Sequence, residues 1–141
     1  MTILQPPNWA RPRGYSNGIL SEGKLLFVAG QIGWNAQAQL AAADLVGQVE
    51  QALKNIVAIL HEGGACPEHI ARMTWYVTDK HEYIAAGKAI GEIYRKIIGP
   101  HYPAMTLLEV SDLLEDGAKV EIEATAVIPY ESPEKQVEFG V

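Results

Sequence analysis

"DLVGQVEQALKNIVAILHE", Asp44 to Glu62, is the stretch that decides the fold class. Leu45, Val49, Ala52, Leu53, Ile56, Val57 and Leu60 recur at spacings of three and four, which is one apolar stripe on an α-helix. Gln48, Glu50, Gln51, Lys54 and Asn55 fall off that stripe. Gly63-Gly64 follows and ends the helix. A helix with one stripe covers one surface, so the chain must supply a sheet face to receive it.

The flanks supply that sheet. "HIARMTWYVTD", 69–79, is rich in β-branched and aromatic residues and reads as a strand. Thr78 or Asp79 can cap a second helix, His81 to Ile98, whose stripe is Tyr83, Ala86, Ile90, Ile93, Tyr94 and Ile97. Gly99-Pro100 stops it, and "HYPAMTLLEV" enters a strand, Met105–Val110, through a proline. The last strand is Val120–Ile128, after the loop "SDLLEDGAK". Upstream, Ser16–Leu20 and Leu25–Ala29 read as a hairpin through "SEGK", with Gly23 supplying a left-handed turn conformation. "GQIGWNAQAQ" is a loop.

The predicted order is β-β-α-β-α-β-β, an α+β single domain over 1–141 with both helices on one face of a mixed sheet. Residues 1–13, rich in proline, are expected to be an extended arm without an element, and 129–141 a loose polar tail. In Val120–Ile128 the inward set is Val120, Ile122, Ala124, Ala126 and Ile128. The opposite set, Glu121, Glu123, Thr125 and Val127, is half polar and half apolar. No third helix is available to cover that face, so a second subunit is expected to do so.

Composition narrows the function classes. The net charge of -6 without a basic run leaves no footprint for phosphate, so no nucleic-acid partner is expected. No window approaches the roughly 18 apolar residues of a membrane span, and no signal-peptide core opens the chain. A single cysteine, Cys66, permits no internal disulfide. A cytoplasmic location without membrane association is expected.

"GYSNG", "FVAGQIG", "GQVEQALKNIVAILHEGGA", "TWYVTD", "YPAM" and "VEIEATAV" run in one order from about Gly14 to Ile128. Together they resemble the reactive-intermediate deaminases, the Rid or YjgF family. The resemblance implies a chorismate-mutase-like fold and a homotrimer with ligand pockets at the subunit interfaces. It also implies cofactor-free hydrolysis of imines or enamines to carbonyl compounds and ammonia. In the deaminases of that family an arginine follows the Pro-Ala pair and grips a substrate carboxylate; here Met105 stands there. The family's acid is kept as Glu121 and its tyrosine as Tyr15. A residue often serine is Ala29, and the helix asparagine appears as Gly87.

Glu121 is therefore the candidate catalytic residue. A partly desolvated carboxylate can take a proton from water and return it to the leaving nitrogen. The candidate substrate-binding residues are Tyr15, Ala29, Gly30, Gln31, Trp34 and Met105. Gly30 lets backbone approach a ligand, and Trp34 offers a flat wall or an interface anchor. Glu123 is expected to be structural, paired with Arg72 or Lys119. Arg95 can substitute for the missing arginine or simply favour its helix dipole. His101 lies near the strand mouth. His61, Cys66 and His69 match no zinc spacing, and no metal or cofactor is expected.

The reading that results is a deaminase for a substrate without a free carboxylate, carrying a neutral or masked acyl group. A non-catalytic, ligand-binding trimer is the alternative. The family's older label, a ribonuclease that inhibits translation, fits the acidic charge poorly.

Overall fold

The computed structural model describes residues 1–131, and everything below concerns those residues. The elements are β1 Thr2–Leu4, β2 Gly18–Leu20, β3 Lys24–Gln31, α1 Leu45–Glu62, β4 Ile70–Val77, α2 Lys80–Ala85, α3 Gly87–Ile97, β5 Ala104–Glu109 and β6 Val120–Ile128. A 3-10 turn, Pro67–His69, precedes β4. The main sheet has the order β3-β6-β4-β5, with β6 antiparallel to both neighbours and β4 parallel to β5. The α+β class, the mixed sheet and two main helices agree with the sequence reading. No helix is long and apolar enough to cross a membrane.

Three expectations are corrected. The arm contains an element: Thr2–Leu4 pairs antiparallel with Gly18–Leu20. The expected hairpin between the two early strands does not form, because β2 takes β1 as partner and the eight-residue β3 pairs with the nine-residue β6. Gly23 is still demanded by backbone, at φ +155°, where a Cβ would collide with the Ile128 carbonyl. The second helix is broken into α2 and α3 at Ala86, whose φ −91° and ψ 6° leave the helical region. The adjacent Gly87 is a weak helix former that resists such a bend least. The expected tail lies, from residue 132 on, outside the described residues.

Helix boundaries follow their caps. Asp44 accepts a hydrogen bond from the Gly47 N–H at 3.2 Å to start α1, and Gly64, left-handed at φ +77°, closes it. Asp79 accepts from the His81 and Glu82 N–H groups at 3.0 and 3.1 Å to start α2. The α1 stripe and Ile90 and Tyr94 of α3 pack on Met73, Trp75 and Val77 of β4 and on Val120, Ile122 and Ala124 of β6. Leu53, Ile56, Leu60 and Ile122 are fully buried, and each contributes about 1.5–3 kcal/mol by leaving water.

Gln48 departs from its polar pattern. It is fully buried, with Nε2 donating to the carbonyls of Ala42 at 3.1 Å and Gly117 at 3.0 Å. Its Oε1 accepts from the Lys119 N–H at 2.7 Å. One side chain thus holds the loop before α1 and the loop before β6 together. Gln48→Leu keeps the volume but orphans three backbone groups. It should lower stability by about 3 kcal/mol. A urea melt with an unchanged slope and a lowered midpoint checks this, and a loss below about 1 kcal/mol would refute the role.

Candidate functional site

The site begins at a fault in the β3–β6 ladder. Val28 pairs with Ala124 and Gln31 with Ile122, so three steps on β3 face two on β6. The extra residue makes a β-bulge at Ala29-Gly30, a device that redirects side chains. The Glu121 carboxylate packs onto this bulge. A Cβ on Gly30 would stand 2.8 Å from both Cδ and Oε2 of Glu121, so only glycine leaves the acid its place. The expected approach of a ligand to Gly30 is here, within the chain itself, an approach by the candidate acid.

A cleft of about 270 Å³ opens beside the carboxylate, walled by Gly30, Gln31, Ile32, Trp34, Leu114 and Glu121. The Gln31 Nε2 donates back to the Ala29 carbonyl at 3.1 Å, which braces the bulge. Asn55 of α1 donates to the Trp34 carbonyl at 2.8 Å and accepts from Gln51 Nε2 at 2.8 Å, pinning the loop that carries Trp34. Gly30, Gln31, Trp34 and Glu121 are thus gathered as the sequence suggested. Ala29 is not with them: it borders a hollow on the sheet's outer face with Phe27, Arg72 and Glu123.

Tyr15 and Met105 form a second group. Ser16 bridges to Ala104, its N–H donating to the Pro103 carbonyl at 3.0 Å, and this extension of the β5 edge brings Tyr15 beside Met105. Met105 pairs with Met73 and so faces the helices, packed against the core. Glu121 pairs with Tyr76 and faces the opposite side. The strands β6 and β5 are also two spacings apart, roughly 10 Å. One copy of the chain does not bring Glu121 and Met105 together.

The secondary candidates resolve differently from expectation. Glu123 accepts the Tyr76 hydroxyl at 2.8 Å, and Lys119 pairs with Glu82 at 3.0 Å, so neither expected partner of Glu123 holds it. That hydrogen bond, then desolvation and the Glu123 and Glu121 charges, hold the Tyr76 phenol above its ordinary range. His101 points its Nε2 at the Ile70 carbonyl, 2.7 Å away, a structural contact. Cys66, Glu68 and His69 place ligand-type atoms within 4.8 Å of one another. The Cys66 N–H already occupies His69 Nδ1 at 3.1 Å and the thiol donates to Glu68 at 3.2 Å, so local capping accounts for the cluster. Burial first, then Glu68, push the Cys66 thiol up. Leu114, fully exposed at the cleft, was missed; an apolar pair inside an acidic loop was its only signal.

A β-sheet carrying two helices on one face and a carboxylate set on a bulge on the other defines the class. Residues 9–128 match the family model described as Endoribonuclease L-PSP. A RutC family protein of Aquifex aeolicus is 35% identical, over 90% of this chain and 99% of its own. The human 2-iminobutanoate/2-iminopropanoate deaminase is 28% identical, over 80% of this chain and 79% of its own. The crystal structure of YyfB, a Rid-family protein of unknown function from Yersinia pestis, superposes with a TM-score of 0.81. It is 30% identical and covers 90% of this chain and 98% of that one. The chain belongs to the Rid/YjgF family.

Gly30→Ala tests the packing of the acid. Gly30 lacks a positive φ, so alanine is tolerated by the backbone. A crystal structure of the variant should show the strand register kept and the Glu121 carboxylate swung away from β3. An unmoved carboxylate would break the link between the bulge and the acid.

Proposed function

We propose that this protein is a cofactor-free hydrolase that converts an imine or enamine metabolite to a carbonyl compound and ammonia. The observation that carries the reading is Glu121, a carboxylate seated on the Gly30 bulge at a cleft, in a chain of the Rid/YjgF family. Water adds across C=N: oxygen bonds to carbon as Glu121 takes a water proton, and nitrogen takes a proton from solvent. The resulting carbinolamine expels ammonia as Glu121 returns its proton to nitrogen, the C–N bond breaks and the hydroxyl proton passes to solvent. The sum is C=NH plus water giving C=O plus ammonia. An enamine enters as its imine tautomer.

Met105 shapes the choice of substrate. An arginine there would give a carboxylate two charge-assisted hydrogen bonds, each worth about 1.5–3 kcal/mol. Methionine offers an apolar, adaptable wall instead. The substrate in this reading carries a neutral or masked acyl group at the imine carbon. The same loss of charge favours the second reading, a trimer that binds a metabolite without turning it over.

The working unit in this proposal is a homotrimer with sites between subunits. Phe27, Leu25 and Leu108 leave the outer sheet face 73%, 61% and 40% exposed, an apolar surface suited to a second copy. A trimer also offers a way to set the β5 edge of one copy, with Met105, against the Glu121 side of another. Light scattering should report threefold the 15.4 kDa chain mass, and a monomer at micromolar concentration would remove the shared site.

Ammonia release from a panel of imines tests the chemistry. Glu121→Gln should keep the assembly and lower turnover roughly 10²- to 10⁴-fold. Wild type should process 2-iminopropionate poorly, and Met105→Arg should raise that rate roughly tenfold to a hundredfold. Efficient wild-type turnover of small imino acids would overturn the assignment of Met105. Tight, unchanged metabolite binding with no ammonia from any imine would establish the second reading.

A further inference from the structure

The hydrolytic step leaves one cavity unexplained. It lies between α3 and β5, holds about 250 Å³, and has Trp75, Tyr83 and Met105 among its walls. Gly87, Gly91 and Arg95 recur every fourth residue on α3, so they share the helix face that borders it. Neither glycine fills the space. A Cβ on Gly87 would meet nothing within 4 Å, and one on Gly91 would meet only Arg95 Nη1, at 3.5 Å. The Arg95 side chain therefore lies back along the helix over Gly91.

Two of the residues that line this cavity carry unspent donors. Trp75 is 2% exposed, yet its Nε1–H has no hydrogen-bond partner among the described residues. A buried donor left without an acceptor is costly, and native structures rarely tolerate one without a reason. Arg95 makes no salt bridge among the described residues. An aromatic-walled hollow with a side-chain-free floor and a guanidinium fits an apolar, flat body with an anionic end.

We propose that this cavity is the specificity pocket of the enzyme and takes an aryl or comparably flat apolar substituent of the substrate, whose terminal carboxylate pairs with Arg95. The inference rests on the hydrolytic reading above and deepens it. The acid group lies at the far end of the substituent, not on the imine carbon, where Met105 offers it nothing.

Calorimetry on the intact protein with 3-phenylpropionate tests this, against 3-phenylpropanamide and acetate. Wild type should bind 3-phenylpropionate about tenfold more tightly than either, and Arg95→Gln should erase the preference over the amide. Gly87→Leu should plug the cavity and weaken 3-phenylpropionate at least roughly tenfold. Its melting temperature should hold or rise, because leucine favours helix over glycine and the added atoms enter open space. Of the three tryptophan indole N–H signals, that of Trp75 should move on binding. Absent binding at millimolar 3-phenylpropionate, or binding that neither variant weakens, overturns the pocket. The probe has no C=N bond, so the two readings fail separately: ammonia release without probe binding sinks only the pocket, and probe binding without ammonia release upholds the pocket and sinks only the hydrolase.

Discussion

The strand β6 lies between β3 and β4, and the rest of the structure depends on that position. It is the last strand among the described residues and the one that joins the sheet. Until Val120–Ile128 is in place, β3 has no partner in the main sheet and the α1 stripe has only part of its floor. Contacts this distant in sequence close late and at an entropic cost, which favours a cooperative fold over separate halves. The same placement sets the candidate acid. Glu121 is the second residue of β6, so its position is fixed by its pairing with Tyr76 of β4, by the Gln31 pairing of its neighbour Ile122, and by the bulge of β3.

Polar side chains of α1 secure what the ladders leave open. Gln48 ties the two loops that flank the cleft to the helix, and Asn55, braced by Gln51, ties the Trp34 loop. These residues sit off the apolar stripe, where a helix of this kind ordinarily meets solvent. The hydrogen bonds that Gln48 and Asn55 make to these loops go to backbone, which satisfies carbonyls and an N–H that the loops would otherwise strand. The helix thus serves as core on one side and as a scaffold for the cleft on the other.

Much of this was legible in the sequence because it is periodic. The α1 stripe, its Asp44 and Gly64 ends, and the alternation of Val120–Ile128 follow from local rules and agree with the structure. What was illegible is pairing. Nothing local shows that Gly18–Leu20 prefers Thr2–Leu4 to the strand that follows it, because partner choice is decided by length and by the competing offer of β6. The buried state of Gln48 was hidden for the same reason, since two of its three partners, Gly117 and Lys119, lie 69 and 71 residues further along the chain. Of the candidate site residues, Gly30, Gln31 and Trp34 line one cleft with Glu121, and Tyr15, Ala29 and Met105 lie elsewhere. The separation of Glu121 from Met105 depends on register, since one residue of slip moves a side chain to the other face.

Met105 and Arg95 are best understood together. Met105 faces the helices beside Met73 and borders the cavity that Arg95 also lines. An arginine at 105 would bring a second cation to a largely apolar hollow, and each charge would raise the cost of the other unless an anion intervened. With methionine on the strand, the single guanidinium on α3 is relieved of that repulsion and keeps its water at the rim. Gly87 and Gly91 then matter as much as either, because the room for a ligand between cation and strand exists only while the helix face carries no side chain. The chemistry at Glu121 requires none of this. In the proposed reading, hydrolysis is the work of Glu121 on β6, and selection that of Arg95 on α3 opposite Met105 on β5.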